Sequence, residues 1–347
     1  MGRILSSRTF SARVMASFIL GTLALAMAAC NGGSESKSEP ATTSDAATGS
    51  AFKVALVTPG KVSDAGWNAM AYSGLMEIEK ELGATVNTQE ARGTQIKDAL
   101  RTYAQQGYNM VIGHGYEYNA PAFEVAQDFP EVVFVTSSGD KTAKNLGAFR
   151  FYLEQAFYLA GYTAGLMSKS GTVAMIGGDD VPSIRSTFKA FRAGAEAAKP
   201  GIRVIEVFTG DGQDVAKAQQ AALQAIDQGA DFLIHQANNA AQGVFNAAKE
   251  RGVYAFGANM NQNANESGVV LASAVIDPGP AFLNLAKQVR DKSFEGSIVL
   301  MGMQDGAINY VWNPAMEDKV PSDVREKVTA LASQILANEL VVPKDEF

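Results

Sequence analysis

The sequence predicts an α/β protein of two similar lobes, each a parallel sheet covered by helices, facing one another across a cleft. Three observations lead there. Strands and helices alternate along most of the chain, the order expected when helices cover both faces of a parallel sheet. One block occurs twice: residues 94–135 and 213–256 both read helix, Gln-Gly, apolar strand, His, loop, helix, strand. The only two histidines follow those apolar strands, His114 after Met110-Val111-Ile112 and His235 after Phe232-Leu233-Ile234. Ligands of open α/β sheets bind outside the carboxyl ends of the strands. Two facing lobes would therefore bring both histidine loops to one cleft, suited to holding a small molecule rather than transforming one.

In chain order, the N-terminus reads as a targeting segment, residues 1–29. Arg3, Arg8 and Arg13 precede an uncharged run from Val14 to Ala29 that ends Ala26-Met27-Ala28-Ala29-Cys30. That is an export-signal pattern, and a Cys directly after small residues makes Cys30 the expected lipidation site. The apolar run is short for a membrane span. Two or more acyl chains would give stable anchoring. Residues 30–50 are rich in Ser, Thr, Ala, Gly and Glu and lack apolar periodicity, so they read as a flexible tether.

Phe52 to Val57 is an apolar strand. Asn68 to Leu82 has helical spacing, with Met70, Leu75, Ile78 and Leu82 on one stripe and Gly83 closing it. Ala84 to Thr88 is a short strand, the first repeat copy follows, and Leu146 to Phe151 is a strand leading into a helix from Leu153 to Met167. The second lobe opens with strand Thr172 to Ile176, then a helix from Pro182 to Ala198 with Pro in its first turn. Arg203 to Phe208 is a strand, followed by the second copy, a strand from Val269 to Ile276, and a helix from Ala281 to Val289 beyond Asp277-Pro278-Gly279-Pro280. Crossings between lobes are expected near 151–153, at 276–280 and after Met301. Lobe 1 is then 51–152 with 278–303, and lobe 2 is 153–277 with 304–347.

Several segments together resemble the basic membrane protein (Bmp) family of substrate-binding lipoproteins. Lys53-Val54-Ala55-Leu56-Val57 with Asp64-Ala65-Gly66-Trp67-Asn68 is similar to the family's opening strand and its Asp-x-Ser/Gly-Phe/Trp-Asn motif. Tyr158-Leu159-Ala160-Gly161 with Ser168-Lys169 and Gly171 resembles its crossover helix. Gly177-Gly178, Pro182-Ser183-Ile184-Arg185 and Phe191-Arg192-Ala193-Gly194 resemble its second-lobe opening. The resemblance covers essentially the whole mature chain. It implies the type I periplasmic binding protein fold, two Rossmann-like lobes with a hinge, and a lipid-anchored receptor that feeds a purine nucleoside or nucleobase, or a similar heteroaromatic, to an ABC permease. The alternative is a sensory receptor presenting its ligand to a membrane signalling protein.

The chain departs from the nucleoside-binding members where they face the sugar. Their Asp becomes Asn259, their Lys falls at Ile276, and their Gly-Gly loop becomes Gln236-Ala237-Asn238-Asn239. Candidate ligand residues are Asp64, Trp67, Asn68, His114, Tyr116, Thr136, Phe188, Asn238 and Asn259. The Trp67 indole either stacks on a heterocycle or packs on its own lobe. Asp64 either accepts from a ring N–H or caps locally, while Asn68 can both donate and accept. His114, Tyr116 and Tyr118 either reach the cleft or are surface loop residues, and His235 is either a ligand contact or structural. Thr136, Ser137 and Ser138 are either donors to the ligand or turn formers. Phe188 is expected as the second stacking wall, although the family's Phe falls at Thr187.

Enzymatic and cofactor roles find no support. Gly113-x-Gly115 and Gly177-Gly178 complete no nucleotide-binding motif, and no nucleophile elbow occurs. Two histidines without a Cys or carboxylate at ligand spacing make a poor metal site. A formal charge of -7 argues against nucleic acid. No catalytic residue, cofactor or metal is expected, and the protein reads as a monomer.

Overall fold

The computed structural model describes residues 52–64 and 66–346. The leader and tether readings, Cys30 included, lie outside them. Two six-stranded sheets organise the described residues. The first holds β1 (Lys53–Thr58), β2 (Thr85–Glu90), β3 (Met110–Gly113), β4 (Val133–Ser137), β5 (Leu146–Phe151) and the distant β11 (Ile298–Met301). Its order is β11-β5-β4-β3-β1-β2, parallel throughout. The second holds β6 (Thr172–Gly177), β7 (Arg203–Phe208), β8 (Phe232–Gln236), β9 (Tyr254–Asn259), β10 (Val270–Ile276) and β12 (Ile308–Trp312). Its order is β12-β10-β9-β8-β6-β7, with only β12 antiparallel. The chain passes between sheets from β5 into a helix, from β10 into a helix, and from β11 to β12.

Successive residues of a strand point to opposite faces, and both central strands use the two faces alike. Val54 and Leu56 of β1 bury into one cluster with Met70, Leu75 and Ile78 of α1 (Trp67–Leu82) and Phe282 of α8 (Gly279–Arg290). Ala55 and Val57 bury into another with α2 (Gln95–Gln105) and α3 (Asn119–Ala126). In β6, Val173 and Met175 meet Phe188 and Phe191 of α5 (Pro182–Ala198), which packs on α4 (Glu154–Met167). Ala174 and Ile176 meet the alanine-rich α6 (Val215–Asp227) and α7 (Ala241–Arg251). Nearly continuous apolar strands such as these mark a sheet covered on both faces.

Gly161 and Gly194 sit where α4 and α5 cross. A Cβ on Gly161 would overlap the Phe191 carbonyl oxygen, and one on Gly194 the Tyr158 carbonyl oxygen. Those two motif glycines therefore bring backbone against backbone. The stretch beyond Met301 forms β12 and α9 (Ser322–Leu336), which packs on α4. Val342 in the following tail is buried, and its carbonyl oxygen accepts from the Tyr152 hydroxyl.

Candidate functional site

The carboxyl ends of both sheets and two of the crossings line a cavity of about 390 Å³. Trp67, Asn68, Arg92, Tyr116, Glu117 and Ser138 contribute from the first lobe. Asp179, Val181, Ile184, Thr187, Asn238 and Asn259 contribute from the second. Arg150, Phe151, Leu153 and Glu154 form its floor at the crossing from β5 to α4.

The start of α1 explains the Asp-x-Gly-Trp-Asn motif. Asp64 Oδ1 accepts from the N–H groups of Gly66 (3.0 Å) and Ala69 (2.9 Å). Its Oδ2 accepts from the Asn68 N–H (3.2 Å) and the Asn68 side-chain amide (2.8 Å). A helix start leaves four N–H groups without partners, and this buried carboxylate occupies the positive end of the helix. Four accepted bonds fill its lone-pair sites, so Asp64 lies behind the cavity wall as a local cap. The same contact orients Asn68: its Nδ2 faces the carboxylate, and its buried Oδ1 has no partner.

Trp67 is half-buried and lines the cavity. His114 stacks on it, ring centroids 4.0 Å apart at 21°. His114 is fully buried and does not line the cavity. Burial pushes its pKa down to about 3, against the opposing hydrogen bond to the Trp67 backbone, so the ring is neutral.

Thr136 is also buried behind the wall, where it accepts from Asn119 Nδ2 (2.9 Å) and donates to Ser138 O (3.0 Å). Phe188 turns into the lobe, 5.4 Å from the Phe208 ring. One residue earlier on α5, a rotation of about 100°, Thr187 lines the cavity instead. The second-lobe wall is therefore aliphatic, from Val181 and Ile184, rather than aromatic. Tyr116, Asn238 and Asn259 line the cavity, with Trp67 and Asn68. His235 lies inside β8 rather than beyond it, with Nε2 2.8 Å from Gln262 Oε1 and its ring nearly perpendicular to that of Phe245.

Three cavity residues hold left-handed backbone: Ser138 (φ 79°), Asn238 (φ 43°) and Asn259 (φ 67°). Side-chain-bearing residues are uncommon there, Asn being the best tolerated, and such residues cluster at ligand sites. Asn259 Nδ2 donates to Gln236 Oε1 (3.2 Å), and its buried Oδ1 has no partner. The lobes touch beside this wall, where a Cβ on Gly66 would lie 3.3 Å from the Asn238 Cα.

Sequence reasoning missed the charged lining. Glu117 and Asp179 come from opposite lobes. The surrounding protein raises the Glu117 pKa; Asp179 adds to the rise, and Arg92 with a backbone hydrogen bond opposes it. Arg92 Nε donates to the Pro59 carbonyl oxygen. On the floor, Arg150 and Glu154 form a buried ion pair. Arg150 also donates to Ser186 Oγ (3.1 Å) and Asp345 O (2.5 Å), tying the cavity floor to α5 and the C-terminal tail. Opposite charges four apart at a predicted crossing were the available signal. Among the described residues no group of three metal-ligating side chains occurs, and no helix is long and apolar enough to cross a membrane.

Two largely parallel sheets meeting at a cleft give the bilobal fold that ABC transporter solute-binding proteins have. Residues 51–346 match the Bmp family model, described as ABC transporter substrate-binding protein PnrA-like, and the chain belongs to that family. It is 27% identical over 293 residues to a purine-binding protein of Brucella abortus (strain 2308), covering 83% of this chain and 82% of that one. It is 25% identical over 317 residues to the ABC transporter nucleoside-binding protein BmpA of Lactococcus lactis subsp. cremoris (strain MG1363), covering 84% and 89%. Among solved structures, an ABC transporter solute-binding protein of Conexibacter woesei superposes with a TM-score of 0.70 at 29% identity, covering 85% of this chain and 99% of that one. A solute-binding protein of Aeropyrum pernix shares the fold at a TM-score of 0.74 and 20% identity, covering 85% and 94%. The chain is thus an ABC transporter substrate-binding protein and belongs to no enzyme class. Proteins of this kind are exported, bind a small molecule and deliver it to a membrane permease.

Proposed function

We propose that this protein captures an unphosphorylated purine nucleobase or nucleoside, or a similar flat heterocycle, by hinge closure. The observation that carries the reading is the Trp67 indole on the cavity wall, backed on one face by His114 and flanked by Asn68. Indole faces stack on heteroaromatic rings. The unpartnered amide oxygens of Asn68 and Asn259, one per lobe, suit a solute that brings N–H or O–H donors. The names of the Brucella and Lactococcus relatives agree with it.

Phosphate is disfavoured on electrostatic grounds. Helix N-termini attract anions, but Asp64 already occupies that of α1, and Asp179 and Asp180 lead into α5. Asn259 and Ile276, replacing the family's Asp and Lys, support a sugar contact unlike that of the nucleoside receptors or a free base as ligand. The ligand first meets the Trp67 lobe, the second lobe closes over it, and the closed monomer docks on the permease. Cys30 carries the lipid that holds it at the outer face of the cell membrane.

A thermal-shift panel of nucleobases, nucleosides, nucleoside monophosphates, sugars and amino acids tests the ligand class. A ligand bound only by the folded state at a hundred times Kd adds about 2.7 kcal/mol of stability. Bases or nucleosides should raise Tm and monophosphates should not. A panel in which only sugars or amino acids shift Tm would sink the proposal. Membrane fractionation of wild type and Cys30→Ser tests the anchor, since loss of the lipid should release the protein.

A further inference from the structure

His114 does not reach the cavity, yet it touches the side chain expected to hold the ligand. Its Nε2 lies 3.0 Å from the Trp67 carbonyl oxygen, an atom that only accepts, so Nε2 carries the proton. Nδ1 is then the acceptor for the Ser137 hydroxyl, 2.9 Å away at the end of β4. The His114 N–H donates to Val57 O of β1 at 2.8 Å. One residue thereby ties the ends of β1, β3 and β4 to the first residue of α1, its backbone reaching β1 while its imidazole reaches β4 and α1 and covers one face of the indole. Packing alone would be served by a leucine, and stacking alone by a phenylalanine. The buried imidazole supplies the stack and both hydrogen bonds together.

We propose that His114 is a positioning residue for ligand capture: through its stack and the Trp67 carbonyl it holds the indole in one plane, with one face sealed and the other presented to the cleft. This rests on the reading of Trp67 as the stacking residue. Immobilising a rotamer-rich side chain only on binding costs enough to weaken affinity by about 2- to 12-fold. A preoriented indole avoids that cost.

The chain has two tryptophans. In a Trp312→Phe background, Trp67 is therefore the only indole reporter. Near-UV circular dichroism and fluorescence anisotropy of the ligand-free protein read its order, and calorimetry with the tightest compound of the panel reads affinity. His114→Leu should erase most of the Trp67 dichroism, increase its local motion and weaken binding about 2- to 12-fold. His114→Phe should keep part of each signal, and Ser137→Ala should shift both in the same direction by less. Unchanged Trp67 dichroism and anisotropy in folded His114→Leu would overturn the proposal, as would weakened binding without a change in indole order. If His114→Leu does not fold, Ser137→Ala decides by the same two readings. If no heterocycle binds, the ligand assignment fails while the optical measurements still decide what His114 does to Trp67.

Discussion

Trp67→Ala removes the proposed stacking surface together with the indole's own packing on His114 and the neighbouring core, but not the start of α1. The helix start survives, because Asp64 caps it through the backbone N–H groups of Gly66, Asn68 and Ala69, none of which involves the indole. His114 covers one indole face, with ring centroids 4.0 Å apart, so at most one face is left for a ligand. The ligand therefore gains one stacking contact, worth about 1–3 kcal/mol. Losing it should raise Kd by about 5- to 150-fold, centred above tenfold. Calorimetry with the compound identified by thermal shift measures the change, and far-UV circular dichroism confirms that the variant is folded. Trp67→Phe should recover most of the loss, because a smaller flat ring still stacks. A folded Trp67→Ala protein with unchanged Kd would remove this residue from the site. A phenylalanine as damaging as alanine would refute the stacking argument, since the loss would then come from indole size or its N–H.

Other consequences concern closure and stability. Gly66→Val would set a branched side chain against Asn238, whose Cα is already 3.3 Å from the Cβ position; closure should be incomplete, with weaker binding and a larger radius of gyration by small-angle X-ray scattering in the presence of ligand. Arg150→Ala strands the buried Glu154 carboxylate, and breaking such a pair costs about 3–5 kcal/mol, measurable by urea unfolding at pH 7. Both histidines are held neutral by burial, with folded pKa values of about 3 for His114 and about 4 for His235 against an ordinary 6.5. The unfolded chain binds more protons below pH 6.5, so stability is full above that value and falls as the pH drops toward the folded values. Between pH 7 and 5 the loss should be about 2 kcal/mol per histidine. A flat urea midpoint over that range would contradict the buried neutral rings.

Periodicity made most of the fold legible. Residues 182–198 read as a helix from sequence and are one, and Arg203 to Phe208 read as a strand and are one. The Gln-Gly pairs mark real turns, because Gly107 (φ 73°) and Gly229 (φ 105°) hold left-handed backbone after α2 and α6. The lines of the site were harder to draw, for two physical reasons. Depth behind a wall depends on rotation about a helix, so one residue on α5 separates Phe188 in the core from Thr187 at the cavity. A carboxylate beside a helix start can also accept from a ligand or from the backbone, and composition does not distinguish these for Asp64. The stretch after Met301 is weakly patterned because β12 fully buries only Ile308 and α9 buries only Val324, Val328 and Ile335.

The two lobes solve different parts of capture on the proposed reading. The first is finished before the ligand arrives: its helix terminus is capped by its own Asp64, its indole is stacked on His114, and Asn68 is turned by the capping carboxylate. The second brings short amides, Asn238 and Asn259, on left-handed backbone, with an aliphatic wall and no ring. Stacking is tolerant of which heterocycle is stacked, whereas a site built to hydrogen-bond a polar group rejects analogues that lack it. Discrimination among flat solutes should therefore come mainly from the closing lobe, and substitutions at Asn259 should reorder the ligand preference where those at Trp67 lower every affinity together. The departures that the resemblance implies at the sugar-facing positions, at Gln236 to Asn239, Asn259 and Ile276, fall on that lobe, where a change of ligand within a retained mode of capture would be written.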